Sequence, residues 1–310
     1  MKKEFPIISF KLKEKDSLEF ANALGSNFKS IGFCSISDHP IDSKLINDVI
    51  NGFSNFFNLP TDQKLKYHLE GGGGARGYTP FKIETAKDSS LPDLKEFWHT
   101  GRELREGHRL EQWMLPNIWM DEMPDLKKNT LELYNQFDLL GKTLLESLAL
   151  FLKLDESYFN QVTNLGNSIM RTIHYPKVDI NEEGERAGAH EDINLITLLI
   201  GGHQPGLEIK LKDGNWMPVE STRDTIVCNV GDMLQRLCNH ALISTTHRVI
   251  ASKETSRKSR YSIPFFVHPN PDWFIETLDS CITKDNPNRY PEGILSEDYL
   301  RQRLEEIKLI

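Results

Sequence analysis

The sequence predicts a mainly β protein with flanking helices, an α+β chain whose second half folds as a β-sandwich or jelly roll. Three observations predict it. From about residue 168 to 270, short β-branched or aromatic runs are separated by Gly, Asn and Asp, and no helical period of useful length interrupts them. Before that stretch, apolar residues recur at helical spacing in several capped segments. After it, SEDYLRQRLEEIKLI (296–310) closes the chain as a capped helix. A run of short strands without intervening helices favours packed antiparallel sheets over alternating β/α units.

PIISF (6–10) reads as a short first strand. The next segment, DSLEFANALGSNFKSIG, carries Leu18, Ala21, Leu24 and Phe28 at helical spacing, with Asp16 or Ser17 as N-cap and Gly32 past the end. FCSISDHP (33–40) follows as a strand, and SKLINDVINGFSNFFNLP is helical through Leu45, Val49, Phe53 and Phe56 or Phe57 until Pro60 stops it. TDQKLKYHL opens with a capping signal and runs into GGGGARGYTP, a loop too glycine-rich for a core. Residues 124–153 form the longest amphipathic segment and read as a buried scaffold helix; DESYFNQV adds a short one. The strands of the second half are SIMRTIHYP, NLITLLIGG, GLEIKLKDGNWMPV, TIVCNVGDML, HRVIAS and RYSIPFFVH. Asp-Gly inside LKDGNW predicts a hairpin. There is no internal repeat.

At 310 residues the chain has room for one large domain, or a main domain with a helical annex. Its 38% hydrophobic and 26% charged residues are those of an ordinary globular protein, and a net charge of -8 argues against a basic nucleic-acid surface. The basic stretch ETSRKSRYS (254–262) reads mostly as a solvated loop. The start, MKKEFPIISFKLKEKD, lacks the apolar region of a signal peptide, and no apolar run approaches the roughly 18–20 residues that span a bilayer. Cys34, Cys228, Cys238 and Cys281 are scattered, which argues against a thiolate zinc knuckle and predicts buried free thiols in a reducing cytoplasm.

RAGAHEDINLITLL (186–199) holds two strong metal ligands, His190 and Asp192, around Glu191. On a strand, alternation sends His190 and Asp192 to one face and Glu191 to the other. A lone His on a β-rich face is more often surface or a satisfied core group, so H-x-D by itself carries little. His247, opening another strand in STTHRVIAS, supplies a third ligand. Two histidines and one carboxylate leave adjacent coordination positions open, the ligand set suited to non-haem Fe(II) handling oxygen. RYSIPFF then places Arg260 and Ser262 on one strand face, where a guanidinium fork and a hydroxyl anchor a carboxylate.

The order HED, STTHRV, RYSIPFF resembles the isopenicillin N synthase-like branch of the Fe(II)/2-oxoglutarate-dependent oxygenases, the plant-type non-haem iron dioxygenases. HYP (174–176), PGLEI (205–209), NWMPV (215–219) and NVGDML (229–234) look like that family's strand landmarks, and GFCSISDHPI and PNIWMDEMP (116–124) like its N-terminal region. The resemblance covers nearly the whole chain. It implies a double-stranded β-helix (jelly roll) core, with residues 1–165 packing on it and covering the site. Residues 166–310 would then carry the core and the C-terminal helix, the whole forming one integrated catalytic unit.

By that resemblance, His190, Asp192 and His247 bind Fe(II), while Arg260 and Ser262 hold the far carboxylate of 2-oxoglutarate, whose keto acid end chelates the metal. Tyr175 matches a tyrosine near the cosubstrate. Ile173 stands where several members have asparagine, and Ile243 precedes Ser244 where a lysine is common. The implied reaction consumes O2, releases succinate and CO2, and oxidises a small organic molecule, most often by hydroxylation; desaturation and ring closure are other outcomes in the family. Three rivals stay open: an isopenicillin N synthase-like oxidase without 2-oxoglutarate, a metal-binding sensor, and a zinc hydrolase with Glu191 as base. Strand alternation counts against the last. On the substrate side, the inner face continues through Pro264 to Phe266, a pocket wall or plain core, and His268, a polar contact or a surface residue at a strand end. Loop candidates are Arg76, Tyr78, Lys95, Phe97, Trp98 and His99, with Arg76 or Arg102 available for an acidic group. The expected partner is a small molecule, with neither nucleic acid nor membrane, and the expected state is a monomer or weak homo-oligomer in the cytoplasm.

Overall fold

A computed structural model describes residues 4–306 apart from 71–73, 86–90, 180, 181, 183, 203 and 253. Most of the glycine run, the first three residues and the last four of the expected C-terminal helix therefore lie outside the described residues.

Strand β1 (Ile7–Ser9) leads through α1 (Lys11–Lys15) into α2 (Ser17–Ser30). Asp16 starts α2 by accepting hydrogen bonds from the backbone N–H groups of Leu18 and Glu19, at 3.1 and 2.9 Å. The buried face of α2 runs through Phe20, Ala21, Leu24 and Phe28, whereas Leu18 is 62% exposed. At 3.6 residues per turn Leu18 sits roughly 100° around the helix from the centre of that face, which corrects its place in the expected stripe. Gly32 then turns the chain at φ +73, where a Cβ would lie 2.3 Å from the Ile243 carbonyl.

Strand β2 (Phe33–Ser37) follows, and α3 (Ser43–Phe57) is capped by Asp42 and buries Leu45, Val49, Phe53, Phe56 and Phe57 as its period requires. The next helix, α4 (Thr61–Leu65), starts after Pro60 without a side-chain cap, so the capping signal read at its start is not used. β3 (Gly77–Thr79) and β4 (Glu96–Gly101) form strands in segments that the sequence presented as loop. All six residues of β4 are buried, so neither face carries the polar alternation that would have marked it. α5 (Pro124–Phe151), 28 residues long, is the scaffold helix expected, and α6 (Asn160–Thr163) is the short one after it.

The remaining strands are β5 (Ile169–Tyr175), β6 (Ala187–His190), β7 (Ile196–Ile200), β8 (Leu207–Lys210), β9 (Trp216–Pro218), β10 (Thr225–Val230), β11 (His247–Val249), β12 (Arg260–Val267), β13 (Phe274–Ile275) and β14 (Ile294–Leu295). One sheet runs β1-β2-β10-β7-β12-β5-β4-β3 and a second runs β6-β11-β8-β9; β13 and β14 pair alone. The two larger sheets make the double-stranded β-helix, and strands from the N-terminal region extend one of them at both edges. The Asp-Gly signal is met by the β8–β9 pairing.

Two further features depart from the sequence reading. RAGAHEDINLITLL is two strands in different sheets, β6 ending at His190 and β7 beginning at Ile196, with a bend between them. Also, α7 (Asp232–Leu237) does interrupt the β region; six residues are too few to display a helical period.

β12 shows how the layers assemble. Ile263, Phe265 and Val267 point into the large core shared with α2, α3 and α5, and Phe265 stacks on Phe137 of α5 at 5.2 Å between centroids. Arg260, Ser262, Pro264 and Phe266 point the other way, into the space between the sheets. A separate apolar cluster of Phe33, Ala187, Leu207, Ile209, Val219, Val227 and Val249 joins the sheets on one side of that space. Helix α8 (Ser296–Glu306) is tied to α7 by Arg303, whose Nε lies 2.9 Å from Asp232 Oδ2. All four cysteines are free and buried. Among the described residues, no helix is long and apolar enough to cross a membrane.

Candidate active site

His190 ends β6 and His247 begins β11, directly opposite each other in register, so strand pairing sets the two imidazoles side by side at 4.4 Å between centroids. Asp192 lies just beyond β6, outside regular strand, two residues after His190, and its carboxylate faces both rings; the bend at 193–195 follows it and carries the chain into β7. Its Oδ1 is 3.6 Å from the Nε2 of His190 and 3.6 Å from that of His247. The three ligand atoms all lie within 4.8 Å of one another.

The donors are prepared in the form a metal needs. The Gly188 carbonyl accepts from His190 Nδ1 at 2.7 Å, and the Thr245 carbonyl from His247 Nδ1 at 3.2 Å. A carbonyl can only accept, so each Nδ1 carries a proton and each Nε2 is the atom left for the metal. His190 keeps contact with the cavity, yet desolvation and the adjacent His247 push its pKa down to about 4, so the ring is neutral at ordinary pH. Burial opposes ionisation of Asp192, but His247, His190 and two hydrogen bonds outweigh it and hold the carboxyl below its usual range. Those bonds come from Thr197 Oγ1 at 2.6 Å and Asn229 Nδ2 at 2.8 Å, both to Oδ2, which leaves Oδ1 for the metal. Two imidazole nitrogens and one carboxylate oxygen beside an open cavity fit Fe(II). Glu191 is directed elsewhere, accepting from Thr246 Oγ1 at 3.3 Å, and is no base for a metal-bound water.

Along the cavity wall, Arg260 stands opposite Tyr175 and Ser262 opposite Ile173. The Arg260 guanidinium is buried, 5.4 Å from the Tyr175 ring, and its Nε and Nη1 have no partner among the described residues. Burial lowers its pKa, with Tyr175 acting weakly the other way. An unpartnered buried guanidinium is costly unless a ligand supplies the acceptor, so these residues fit a carboxylate of 2-oxoglutarate. Ile173 lines the cavity, so the lateral contact that asparagine would make is apolar here.

The substrate candidates separate. Lys95 and Phe266 line the cavity. Phe97 lies behind Arg171, whose guanidinium stacks on it at 4.1 Å. Tyr78 is corrected: it points into the helix-side core and donates to Glu96 Oε2 at 2.6 Å. Trp98 is buried in the same core. His268, for which a surface position was open, is buried, its Nδ1 3.1 Å from the Phe266 carbonyl. His99 accepts from Arg171 Nε at 2.5 Å, which with burial holds its pKa well down. Arg102 is committed to Asp138 at 2.7 Å and is not free for an acidic ligand. Arg76 is buried outside the cavity lining, and its Nε and Nη2 have no partner among the described residues.

Sequence reasoning missed Thr197 and Asn229; polar residues inside apolar strands were the available signal. It also missed Arg171, which lines the cavity, and Asp93, whose Oδ1 accepts from Gly188 N at 2.9 Å and braces the His190 strand. Arg186 escaped notice too, although it opens the RAGAHED stretch: it donates to the carbonyls of Thr255 and Lys258 at 2.7 and 2.9 Å beside Tyr175.

Residues 166–269 match the 2OG-Fe(II) oxygenase superfamily, and residues 5–122 match the family described as non-haem dioxygenase in morphine synthesis N-terminal. The chain is 32% identical over 283 residues to the 2-oxoglutarate-Fe(II) type oxidoreductase hxnY of Emericella nidulans, covering 87% of this chain and 79% of that one. A crystal structure assigned to the 2OG-Fe(II) oxygenase family from Caulobacter crescentus superposes with TM-score 0.91 at 44% identity, over 98% of this chain and 99% of that one. A full-length Neurospora crassa protein, crystallised in complex with alpha-KG, superposes with TM-score 0.86 at 30% identity, over 97% and 95%. The chain belongs to the 2OG-Fe(II) oxygenase superfamily. It is an Fe(II)- and 2-oxoglutarate-dependent oxygenase of the isopenicillin N synthase-like, plant-type branch.

Proposed function

We propose that His190, Asp192 and His247 hold the Fe(II), that Arg260 and Ser262 clamp the distal carboxylate of 2-oxoglutarate beside Tyr175, and that the enzyme hydroxylates a small organic molecule. The observation that carries this reading is the unpartnered Arg260 guanidinium, set on the same cavity as the three converging ligands. When bound, Fe(II) and 2-oxoglutarate couple activation of O2 to decarboxylation of the cosubstrate, yielding succinate and CO2. The protein's part is to hold and orient. Thr197 and Asn229 fix Asp192, the Gly188 and Thr245 carbonyls fix the ring tautomers, and Arg260 sets the direction in which the cosubstrate lies. Phe266 and Pro264 then present an apolar wall to the substrate and keep water from the reacting carbon.

In this reading residues 1–165 cover the site and 166–310 carry it. Four buried free thiols support a reducing cytoplasm. The test is anaerobic titration of Fe(II) with 2-oxoglutarate, followed by the metal-to-ligand charge-transfer absorbance. The wild type is expected to develop the band and His190→Ala to lack it. Arg260→Ala is expected to weaken 2-oxoglutarate about 100-fold, the scale of a lost charge-assisted pair, while iron affinity holds. An unchanged cosubstrate affinity in Arg260→Ala would overturn the anchor, and absence of the band in wild type would return the site to an oxidase that needs no 2-oxoglutarate.

A further inference from the structure

We propose that Arg76 is a second carboxylate anchor, placed to grip an anionic group of the substrate, so that the substrate class is an organic acid. This rests on the Fe(II)/2-oxoglutarate reading of the cavity and assigns the partner of its other end.

Arg76 is 2% exposed. Its Nη1 donates to the Ala75 carbonyl at 2.7 Å, while Nε and Nη2 have no acceptor among the described residues. Those two nitrogens form the side edge of the guanidinium, with parallel N–H bonds at the spacing of carboxylate oxygens. The other cations near the substrate side are neutralised. Lys95 pairs with Glu84 at 2.8 Å and Asp93 at 2.7 Å, Arg171 with Glu84 at 3.0 Å, and Arg102 with Asp138 at 2.7 Å. Arg76 thus shares with Arg260 a buried guanidinium that meets no carboxylate among the described residues; Arg260 lines the cavity and Arg76 lies just outside its lining, and one bound 2-oxoglutarate satisfies only one of the two.

The backbone makes room for it. A Cβ on Gly101 would lie 2.2 Å from both Cζ and Nη2 of Arg76, so the guanidinium occupies the space a side chain would take. Gly101 is in register with Ile169, and Ile169 with Phe266, which puts the fork over the same end of the sheet as the cavity wall. His268, two residues past Phe266, lies in the field of both Asp192 and Arg76. Burial lowers the Arg76 pKa to about 10, which leaves it charged at neutral pH. Glu103 favours that charge through space, without a hydrogen bond or ion pair to it among the described residues; a buried cation held so opposes stability, a cost that binding sites commonly carry.

The experiment loads wild type, Arg76→Met and Gly101→Ala anaerobically with Fe(II) and saturating 2-oxoglutarate, so that Arg260 is filled. Thermal midpoints are then followed against acetate, acetamide or inorganic phosphate at constant ionic strength. Acetate is expected to raise the wild-type midpoint saturably, acetamide to do nothing, and phosphate to bind more weakly than acetate. Both variants are expected to lose at least tenfold in apparent acetate affinity while binding 2-oxoglutarate as wild type does. Without acetate, Arg76→Met is expected to melt at the wild-type temperature or above it. An acetate response equal in Arg76→Met, an equal response to acetamide, or an Arg76→Met that unfolds earlier or does not fold would overturn the proposal, the last because it makes Arg76 structural. Tighter phosphate than acetate would overturn the carboxylate assignment. Loss of the 2-oxoglutarate charge-transfer band in wild type is a separate failure, of the underlying reading.

Discussion

Asp192 divides its two oxygens between tasks: Oδ2 takes the hydrogen bonds of Thr197 and Asn229, and Oδ1 faces the imidazoles. The division fixes the carboxylate before any metal arrives. Partners of this kind typically matter 10–100-fold in metal affinity. Asn229→Ala is therefore expected to weaken Fe(II) by roughly that factor, with 2-oxoglutarate affinity at saturating iron little changed; competition against a chromogenic chelator measures it. An Fe(II) affinity equal to wild type would assign Asn229 to packing alone. The three ligands were legible because H-x-D and a later histidine share a recognisable pattern. Thr197 and Asn229 were not, because a polar residue inside an apolar strand does not announce which neighbour it will face.

At the scale of elements, β12 serves two layers at once. Its outer row, with Phe265 against Phe137 and Tyr134, holds the sheet to α5, and its inner row carries Arg260 to Phe266. Phe265→Ala is expected to cost about 3–5 kcal/mol in urea unfolding, the range for a buried aromatic, while the folded fraction binds 2-oxoglutarate normally. A loss of cosubstrate affinity on that scale would mean the two rows are not independent. The periodicity of β12 was readable because Arg260 and Ser262 alternate with apolar residues at its start. β4 was missed because both of its faces are buried, and α7 because it is shorter than two turns. The short link from His190 to Ile196 hides a change of sheet that no local pattern marks.

Across the whole molecule, a buried network joins the N-terminal region to the core: Glu84 and Asp93 hold Lys95, Glu84 also holds Arg171 of β5, and Asp93 braces the strand of His190. Burial would raise the Glu84 carboxyl, but Arg171 and Lys95 override it and hold its pKa far below the ordinary 4.5. Such a group stabilises the fold fully above 4.5, and the contribution is lost as pH falls from there toward the folded value. Wild-type stability is thus expected to fall on acidification below about 4.5, with a shallower fall in Glu84→Gln. At pH 7 that variant is expected to be about 3–5 kcal/mol less stable, because Lys95 and Arg171 lose a shared counter-charge; urea melts across pH check both. Equal slopes for the two proteins would remove Glu84 from the acid response. The sequence by itself determined the strand-rich second half, the three metal ligands and the Arg-x-Ser pair, since periodicity and ligand chemistry are local properties. Only the tertiary structure decided that the chain changes sheet just after Asp192, that Tyr78 faces the core, and that, among the described residues, Arg102 meets a carboxylate while the Nε and Nη2 of Arg76 meet no acceptor. The reason is physical: burial and charge pairing depend on residues brought together from distant parts of the chain, and spacing along it does not encode them.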